Sequence, residues 1–208
     1  LAHEGLVKRV IGGHWALVPK LQKLAFADKI EAYNLPQGVI AHMFRDIAAK
    51  RPRTITRVGL GTFVDPRLGG GKINKVTKED IVEIVKFDGN EYLAYKTIPI
   101  HVVLLRGTTA ETDGNITMEK EALTLENLAL AMAAKNWGGF AIVQVERLAD
   151  RGHLNAKNVK IPGILVDCVV VGKPENHWQT FASQYNPSFS CEVKVPLSSI
   201  EPLKMNER

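Results

Sequence analysis

Cysteine is scarce in this sequence. Its 208 residues include two cysteines, Cys168 and Cys191, and their spacing matches no disulfide framework, metal motif or redox motif. The sequence also lacks a run of roughly 18 apolar residues, which a membrane-spanning helix would need, and it shows no signal peptide. We therefore expect reduced thiols, a cytoplasmic location and no association with a membrane.

A strong charge of one sign is also missing. The formal net charge is +5, and basic and acidic residues are mixed in stretches such as KVTKED at 75–80. Such mixing is typical of a solvated surface, so we expect no nucleic-acid partner. One basic cluster, KRPRTITR at 50–57, would suit a small molecule that carries phosphate as well as it would suit nucleic acid.

Catalytic patterns are absent from the sequence as well. The six histidines share no metal-ligand spacing, and neither a Ser/His/Asp nor a Cys/His arrangement can be read from it. Asp65 and Glu4 are carboxylates beside proline or glycine, but neither has an evident partner. The sequence therefore predicts no metal site, and no catalytic acid or nucleophile, within these residues.

The sequence does contain an alternation of strand-like and helix-like segments. Apolar periodicity predicts strands near 30–35, 54–59, 101–106 and 140–145, and helices over 19–28, 37–50 and 119–136. An Asp-Gly-Asn turn at 88–90 predicts an antiparallel hairpin across 81–98. This order predicts a three-layer α/β/α fold with a mainly parallel central sheet, and it places the hairpin outside that sheet.

Two loops would lie at the carboxyl ends of predicted strands, where ligands bind in sheets of this kind. The first is NLPQG at 34–38, which places Gln37 and Gly38 at a helix N-terminus. The second is GLGTFVDPRLGGG at 59–71, which matches neither a dinucleotide fingerprint nor a P-loop. Taken alone, each loop also fits a plain turn or a surface crossover.

Longer motifs around these loops occur in a characteristic order. They are AYNLPQGVIAHMFRDIAAKRP, GLGTFVDPRLGGGKIN, LLRGTTAETDGNITMEKEALTLENLALAMAAKNWGG, VQVERL and VKIPGILVD. In this order they resemble the first, α-type half of the family I coenzyme A-transferases, and in particular the acetate/propionate CoA-transferases that fuse both halves in one chain. The tail ENHWQTFASQYNPSFS is similar to the linker of that subgroup.

The resemblance implies a division of the chain into two parts. Residues 1–172 would form the α-type domain without its N-terminal part, and residues 173–208 would form an irregular linker arm toward an absent β-type half. The family's fold, which sugar-phosphate isomerases share, agrees with the layered α/β arrangement predicted from periodicity.

The resemblance also implies an activity, which is the transfer of coenzyme A from a short-chain acyl-CoA to a free carboxylic acid. Family members use a glutamate nucleophile and pass through an acyl-glutamyl anhydride and a glutamyl-CoA thioester. That glutamate lies in a Glu-x-Gly motif of the second half, so we expect these 208 residues to be inactive alone. Coenzyme A is then a substrate, and no cofactor is expected. The implied partners are acyl-CoA, a short-chain carboxylate, the β-type half and further copies of the protein in a homo-oligomer.

By the same resemblance, two turns line the acyl pocket. The Pro-Gln-Gly turn corresponds to Gln37 and Gly38, and the Gly-x-Gly-Thr turn corresponds to Gly59, Gly61 and Thr62, whose backbone N–H groups would approach the acyl group. Two alternatives stay open. A sugar-phosphate isomerase would need an acid/base carboxylate in these loops, where only Asp65 is available. A non-catalytic sensor of acyl-CoA or sugar phosphate would be expected to carry a DNA-binding module.

Overall fold

The structure, a computed structural model, describes residues 1–200. The chain divides into two units, Leu1–Ile100 and a second unit that begins at His101. Each unit forms its own sheets and its own buried core. Among the described residues, no helix is long and apolar enough to cross a membrane.

The first unit combines a parallel pair of strands with an antiparallel sheet. In chain order its elements are β1 (Arg9–Gly12), α1 (Pro19–Phe26), β2 (Glu31–Asn34), α2 (Gln37–Ala48), β3 (Arg53–Thr56), β4 (Val82–Phe87) and β5 (Asn90–Lys96). β1 and β2 pair in parallel along their whole length. A core of Trp15, Ala25, Ile30 and Ala32 packs α1 against this pair.

Helix α2 forms where its apolar stripe predicts it. Val39, Met43 and Ile47 recur at every fourth position and are buried. Pro36 precedes the first helical residue, where its fixed φ and missing N–H do not disturb the helix. The helix ends at Ala48, and Lys50 then turns the chain with a left-handed φ of 55°.

The hairpin forms as predicted, but the strand before it was assigned to the wrong sheet. β4 and β5 pair in an antiparallel hairpin that includes neither β1 nor β2. β3, which was expected in the main parallel sheet, instead pairs antiparallel with β5. It also ends at Thr56 rather than near 59. Thr54 is buried and Ile55 is exposed, an alternation typical of an antiparallel strand with one solvated face rather than of a strand buried on both faces.

The second unit contains a parallel sheet and a smaller mixed sheet. In chain order its elements are β6 (Val102–Arg106), β7 (Thr109–Glu111), β8 (Ile116–Thr117), α3 (Asn127–Asn136), β9 (Phe140–Val145), β10 (Arg147–Ala149), β11 (Val159–Ile161) and β12 (Cys168–Val171). β6, β9 and β12 are parallel, with β9 in the middle. The mixed sheet has the order β10-β7-β8-β11. Parallel strands with a helix between them confirm the predicted α/β class.

Helix α3 is shorter than the predicted helix over 119–136. It begins only at Asn127 and buries Ala131, Ala133 and Ala134, whose small side chains let it pack closely on β6 and β9. Residues 119–126 form two turns joined by irregular backbone instead. Leu125 has a φ of 45°, which a right-handed helix cannot contain, and Glu121 pairs with Arg106 at 3.0 Å. These contacts distant in sequence override the local helix preference.

The segment after β12 is irregular, but it is attached to the second unit. It contains single turns of 3₁₀ helix at Pro174–Asn176 and Leu197–Ser199. The buried His177 ring accepts a hydrogen bond at Nδ1 from Gln144, and Gln179 Nε2 donates to the carbonyl of Lys120 at 2.7 Å. The division of the chain at residue 172 stays a prediction.

Within the first unit, a close backbone contact attaches the glycine-rich segment to β2. The N–H of Asn34 donates to the carbonyl of Gly71 at 2.8 Å, and the N–H of Ile73 donates to the carbonyl of Ala32 at 2.9 Å. Gly71 has a φ of 75°, and a Cβ there would lie 2.9 Å from the carbonyl oxygen of Asn34. The contact therefore requires glycine for its backbone conformation and for the space it leaves.

We predict that Gly71→Ala destabilises the protein more than Gly89→Ala does. Gly89 has a similar φ of 78°, but no atom of the described chain lies within 4 Å of its Cβ position. Both variants therefore place an alanine at a strained positive φ. The difference between their free energies of unfolding measures the collision with β2, which we expect to cost about 1–3 kcal/mol. Urea denaturation of the two full-length variants measures it. Equal midpoints would show that β2 moves away from the loop at no cost.

Candidate functional site

The glycine loop, defined here as residues 57–72, forms a compact turn of its own. The side chain and the N–H of Thr62 both donate to the carbonyl of Gly59, at 2.8 and 3.1 Å. The N–H of Leu60 donates to the carbonyl of Arg57 at 3.2 Å. The five glycines at 59, 61, 69, 70 and 71 all have positive φ, so the loop turns repeatedly within a short length.

Asp65 lies at the centre of this loop and is only 1% exposed. Its carboxylate accepts from the N–H of Gly61 at 3.0 Å and from the N–H of Arg67 at 3.0 Å. The Arg67 guanidinium donates to both oxygens, at 2.9 and 2.8 Å. These bonds hold the pKa of Asp65 well below its usual range and raise the pKa of Arg67. Asp65 is therefore a charged structural acceptor.

One face of β5 supports the glycine loop from beside it. Glu91, Leu93 and Tyr95 alternate along the strand, so their side chains point to the same face. Glu91 accepts from Arg67 at 3.0 Å, and the Tyr95 hydroxyl donates to the carbonyl of Val58 at 2.7 Å. Burial raises the pKa of Tyr95 to about 12, so the hydroxyl keeps its proton near neutral pH.

The structure gives different surroundings to the glycines of the predicted acyl pocket. A Cβ at Gly59 would lie 2.5 Å from the Tyr95 hydroxyl and 3.0 Å from Leu93, so this glycine faces the interior of the unit. Gly38 and Gly61 face open space, because no atom of residues 1–200 lies within 4 Å of their Cβ positions. Gly59 therefore allows the loop to pack, while Gly38 and Gly61 leave room outside it.

The expected backbone donor at Gly61 is already in use. Its N–H points to Asp65, and the N–H of Thr62 points to Gly59 within the loop. In this arrangement of the loop, both N–H groups therefore bond within the loop. The assignment of Gln37, Gly38, Gly59, Gly61 and Thr62 to an acyl pocket stays a prediction.

Gln37 is the first residue of α2 and is exposed, as its loop position predicts. It lies against Gly13, which directly follows β1, because any Cβ at Gly13 would collide with the Gln37 side chain. The N–H of Leu35 donates to the carbonyl of Gly12 at 3.0 Å. Sequence reasoning assigned no site role to Gly13. The sequence did indicate a close contact there, because two glycines, Gly12 and Gly13, stand together where β1 ends. β1 pairs in parallel with β2, so this pair of glycines lies beside the end of β2.

A cleft of about 510 Å³ lies between α2 and β3. Gly38, Thr56 and Val58 are among its lining residues, whereas Gln37, Gly59, Gly61 and Thr62 are not. It is also lined by Arg51, which pairs with Asp46 at 3.0 Å. The cleft thus brings Gly38 together with the start of the glycine loop, one residue before Gly59.

The basic cluster at 50–57 is partly neutralised by carboxylates. Arg51 pairs with Asp46, and Arg53 pairs with Glu83 at 2.5 Å. Both arginines are more than a third exposed, so these pairs contribute little to stability. Over residues 1–200, no group of three or more His, Cys, Asp or Glu side chains is arranged to hold a metal ion.

Comparison with known proteins identifies the family of this chain. Residues 1–172 match the profile of the family described as coenzyme A transferase. The chain belongs to the coenzyme A transferase family. This match confirms the resemblance that the ordered motifs indicated. The chain corresponds to the α-type half of the family's members.

Two curated relatives match nearly the whole chain. The caffeate CoA-transferase of Acetobacterium woodii is 52% identical and matches 100% of this chain and 40% of its own length. The acetate CoA-transferase YdiF of Escherichia coli K12 is 47% identical and matches 95% of this chain and 39% of its own length. This CoA transferase chain therefore spans about two fifths of the length of these relatives.

Solved structures agree with this assignment. The acyl-CoA transferase YdiF apoenzyme of E. coli O157:H7 superimposes with a TM-score of 0.89 at 43% identity, over 95% of this chain and 38% of that one. Glutaconate coenzyme A-transferase from Acidaminococcus fermentans, at 20% identity and a TM-score of 0.68, is similar in fold. The α/β fold is thus one that known CoA transferases have.

We predict that the stabilising effect of Asp65 depends on pH. Its pKa in the folded protein lies below the unfolded value of about 4, so its contribution is present above that pH and is lost as the pH falls below it. Asp65→Asn should therefore be less stable than wild type near neutral pH, and the difference should narrow toward about pH 3.

Urea denaturation of full-length wild type and Asp65→Asn at several pH values measures this difference. Glu83→Gln, which removes an exposed carboxylate from the same unit, is the matched control and should change the midpoint little at any pH. A difference between wild type and Asp65→Asn that stays constant from neutral to acidic pH would contradict the prediction.

Proposed function

We propose that the full-length protein transfers coenzyme A from a short-chain acyl-CoA, such as acetyl-CoA or propionyl-CoA, to a free carboxylic acid. This chain contributes a wall of the acyl pocket. The observation that carries the proposal is the attachment of the glycine loop to β2 through Asn34 and Gly71, directly before the Pro-Gln-Gly turn. Two motifs distant in sequence thus meet at the end of β2, beside the N-terminus of α2.

The proposed mechanism is covalent catalysis by a glutamate outside this chain. Its carboxylate attacks the acyl-CoA carbonyl, which forms an acyl-glutamyl anhydride and releases the CoA thiolate. The thiolate then attacks the glutamyl carbonyl, which forms the glutamyl-CoA thioester and releases the first acid. The second acid reverses both steps and leaves as the new acyl-CoA. Support comes from a relative, since one E. coli YdiF structure, 43% identical to this chain, is described as a thioester complex with CoA.

Within this mechanism, Gln37 and Gly38 would act at the acyl group. The Gln37 amide offers both a donor and an acceptor without competing as a nucleophile. Its position at the first turn of α2 also places it where backbone N–H groups favour negative charge. Gly38 and Gly61 leave space for an acyl chain, since their Cβ positions are open. No step needs a cofactor, because coenzyme A itself is the carried group.

The acids that the enzyme could accept differ mainly in size. One relative is named for acetate and the other for caffeate, an aromatic acid, and the identity to the second is higher. That identity favours an aromatic acid as a second candidate substrate. A substrate panel therefore needs acetate, propionate and caffeate as acceptors.

The sugar-phosphate isomerase alternative loses its only candidate base. Asp65 was the one carboxylate available in the glycine loop, and it is buried under the Arg67 guanidinium with a lowered pKa. A general base needs an accessible carboxylate whose pKa lies near the working pH. The family assignment likewise favours an enzyme over a sensor.

We further propose that the β-type half follows in the same polypeptide, and that the enzyme is a cytoplasmic homo-oligomer.

The proposed function predicts activity for the full-length protein and none for this chain alone. The purified full-length protein should form propionyl-CoA from acetyl-CoA and propionate in a coupled assay. The 208-residue chain should not, because the nucleophilic glutamate is expected outside it. Absence of transfer to every acceptor in the panel would sink the proposed function, and transfer by the pure 208-residue chain would refute the placement of the nucleophile.

We predict that Gln37→Ala in the full-length enzyme lowers turnover by about 10²–10³-fold, the usual cost of losing one donor to a developing oxyanion. The melting temperature should stay nearly unchanged, because the side chain is exposed and contributes little to the core. Gln22→Ala, which removes a glutamine side chain from α1, is the control and should retain turnover. Wild-type turnover in Gln37→Ala would remove this residue from the mechanism.

A further inference from the structure

The glycine loop is held by a carboxylate that takes no part in the proposed chemistry. Both oxygens of Asp65 are occupied, Oδ1 by the N–H and Nε of Arg67, and Oδ2 by the N–H of Gly61 and by Nη2 of Arg67. These bonds fix residues 61 and 67, which lie on either side of the segment Thr62–Val64. The segment is therefore anchored at both ends by one buried group.

The same segment exposes Phe63, its largest side chain, to the outside of the loop. Thr62 and Phe63 are exposed, and the Phe63 side chain is 55% exposed, whereas Val64 is buried. Phe63 is itself held at its backbone, because its carbonyl accepts from the N–H of Gly71 at 3.0 Å. The outward face of the loop thus combines an aromatic ring with the open space beside Gly61, while the Thr62 hydroxyl donates to Gly59 within the loop.

We infer that Asp65 is a positioning residue that sets the acyl-chain length the enzyme accepts, by fixing the loop segment Gly61–Val64. This inference rests on the proposed function, in which that segment forms part of the acyl wall. A loop with so many glycines has little shape of its own, because glycine adopts many backbone conformations. The bonds that Asp65 accepts, the bond that Glu91 accepts from Arg67 and the bond that Tyr95 donates to Val58 supply the shape instead.

The chemistry of the site explains why the residue must be a carboxylate. Four donor groups converge on two oxygens, and an ionised aspartate is an acceptor at both. An asparagine of the same size would turn an NH₂ group toward one pair of these donors. Asp65→Asn therefore disturbs the loop while it leaves the volume of the side chain unchanged.

The test compares acyl-donor selectivity in full-length enzymes. kcat and KM are measured with acetyl-CoA, propionyl-CoA and butyryl-CoA, for wild type, Asp65→Asn and the control Glu83→Gln. We expect Asp65→Asn to raise KM for the donor and to change the ratio of kcat/KM between butyryl-CoA and acetyl-CoA by about fivefold or more, since one methylene in a pocket is worth roughly 10–200-fold. Glu83→Gln should keep the wild-type ratio.

A purely structural role for Asp65 gives a different result. Loss of folded enzyme lowers kcat for all three donors by one common factor, and it leaves both KM and the ratio unchanged. That outcome, or a ratio within about twofold of wild type, would overturn the inference. If the wild type itself transfers no CoA to any acceptor, the proposed function fails and the inference fails with it. If the wild type is active and only the ratio is insensitive, the inference alone fails.

Tyr95→Phe provides a second variant if Asp65→Asn does not fold. It removes the hydroxyl that donates to the carbonyl of Val58, and it retains the buried ring. Since this bond holds the start of the same loop, the variant should also change the butyryl-CoA to acetyl-CoA ratio. A wild-type ratio in a folded Tyr95→Phe enzyme would then decide against the inference.

Discussion

The buried carboxylate of Asp65 holds together a loop that has little preference for one conformation. Five glycines with positive φ would otherwise leave the segment that follows β3 free to adopt many shapes. The carboxylate gathers donors from Gly61 and Arg67, and the low pKa that results keeps it charged at any pH in the working range of an enzyme. Ordering such a loop costs conformational entropy, and charge-assisted hydrogen bonds are among the few local interactions strong enough to offset it.

The β4–β5 hairpin also contributes to holding this loop within the first unit. β5 pairs with β3 on one side and β4 on the other, and the face that carries Glu91, Leu93 and Tyr95 meets the glycine loop. The antiparallel sheet is thus a support for the loop, which the parallel pair β1–β2 holds from its other end through Asn34 and Gly71. The loop lies between two rigid elements, an arrangement that suits a site whose geometry must be kept within a fraction of an ångström.

Family membership and geometry answer different questions about this CoA transferase chain. The profile match and the high identity to two curated relatives establish the family. The names of those relatives include both a two-carbon and an aromatic acid, so the family alone does not determine the acyl group. The geometry adds the distinction between glycines that serve packing, such as Gly59, and glycines that leave space, such as Gly38 and Gly61. That distinction makes the shape of the proposed acyl-pocket wall the property to test.

The sequence by itself determined the features that depend on near neighbours. The apolar stripe of α2, the Asp-Gly-Asn turn of the β4–β5 hairpin and the position of Gln37 at a helix start all follow from local periodicity and turn chemistry. The order of the longer motifs was sufficient for the family. Only the tertiary structure decided the partner of β3, the late start of α3 and the inward orientation of Gly59. Each of these depends on residues far away in the sequence, such as β5 for β3 and Arg106 for the turns before α3. Local preference is weak beside a partly buried ion pair or a strand pairing, so the distant contacts prevail.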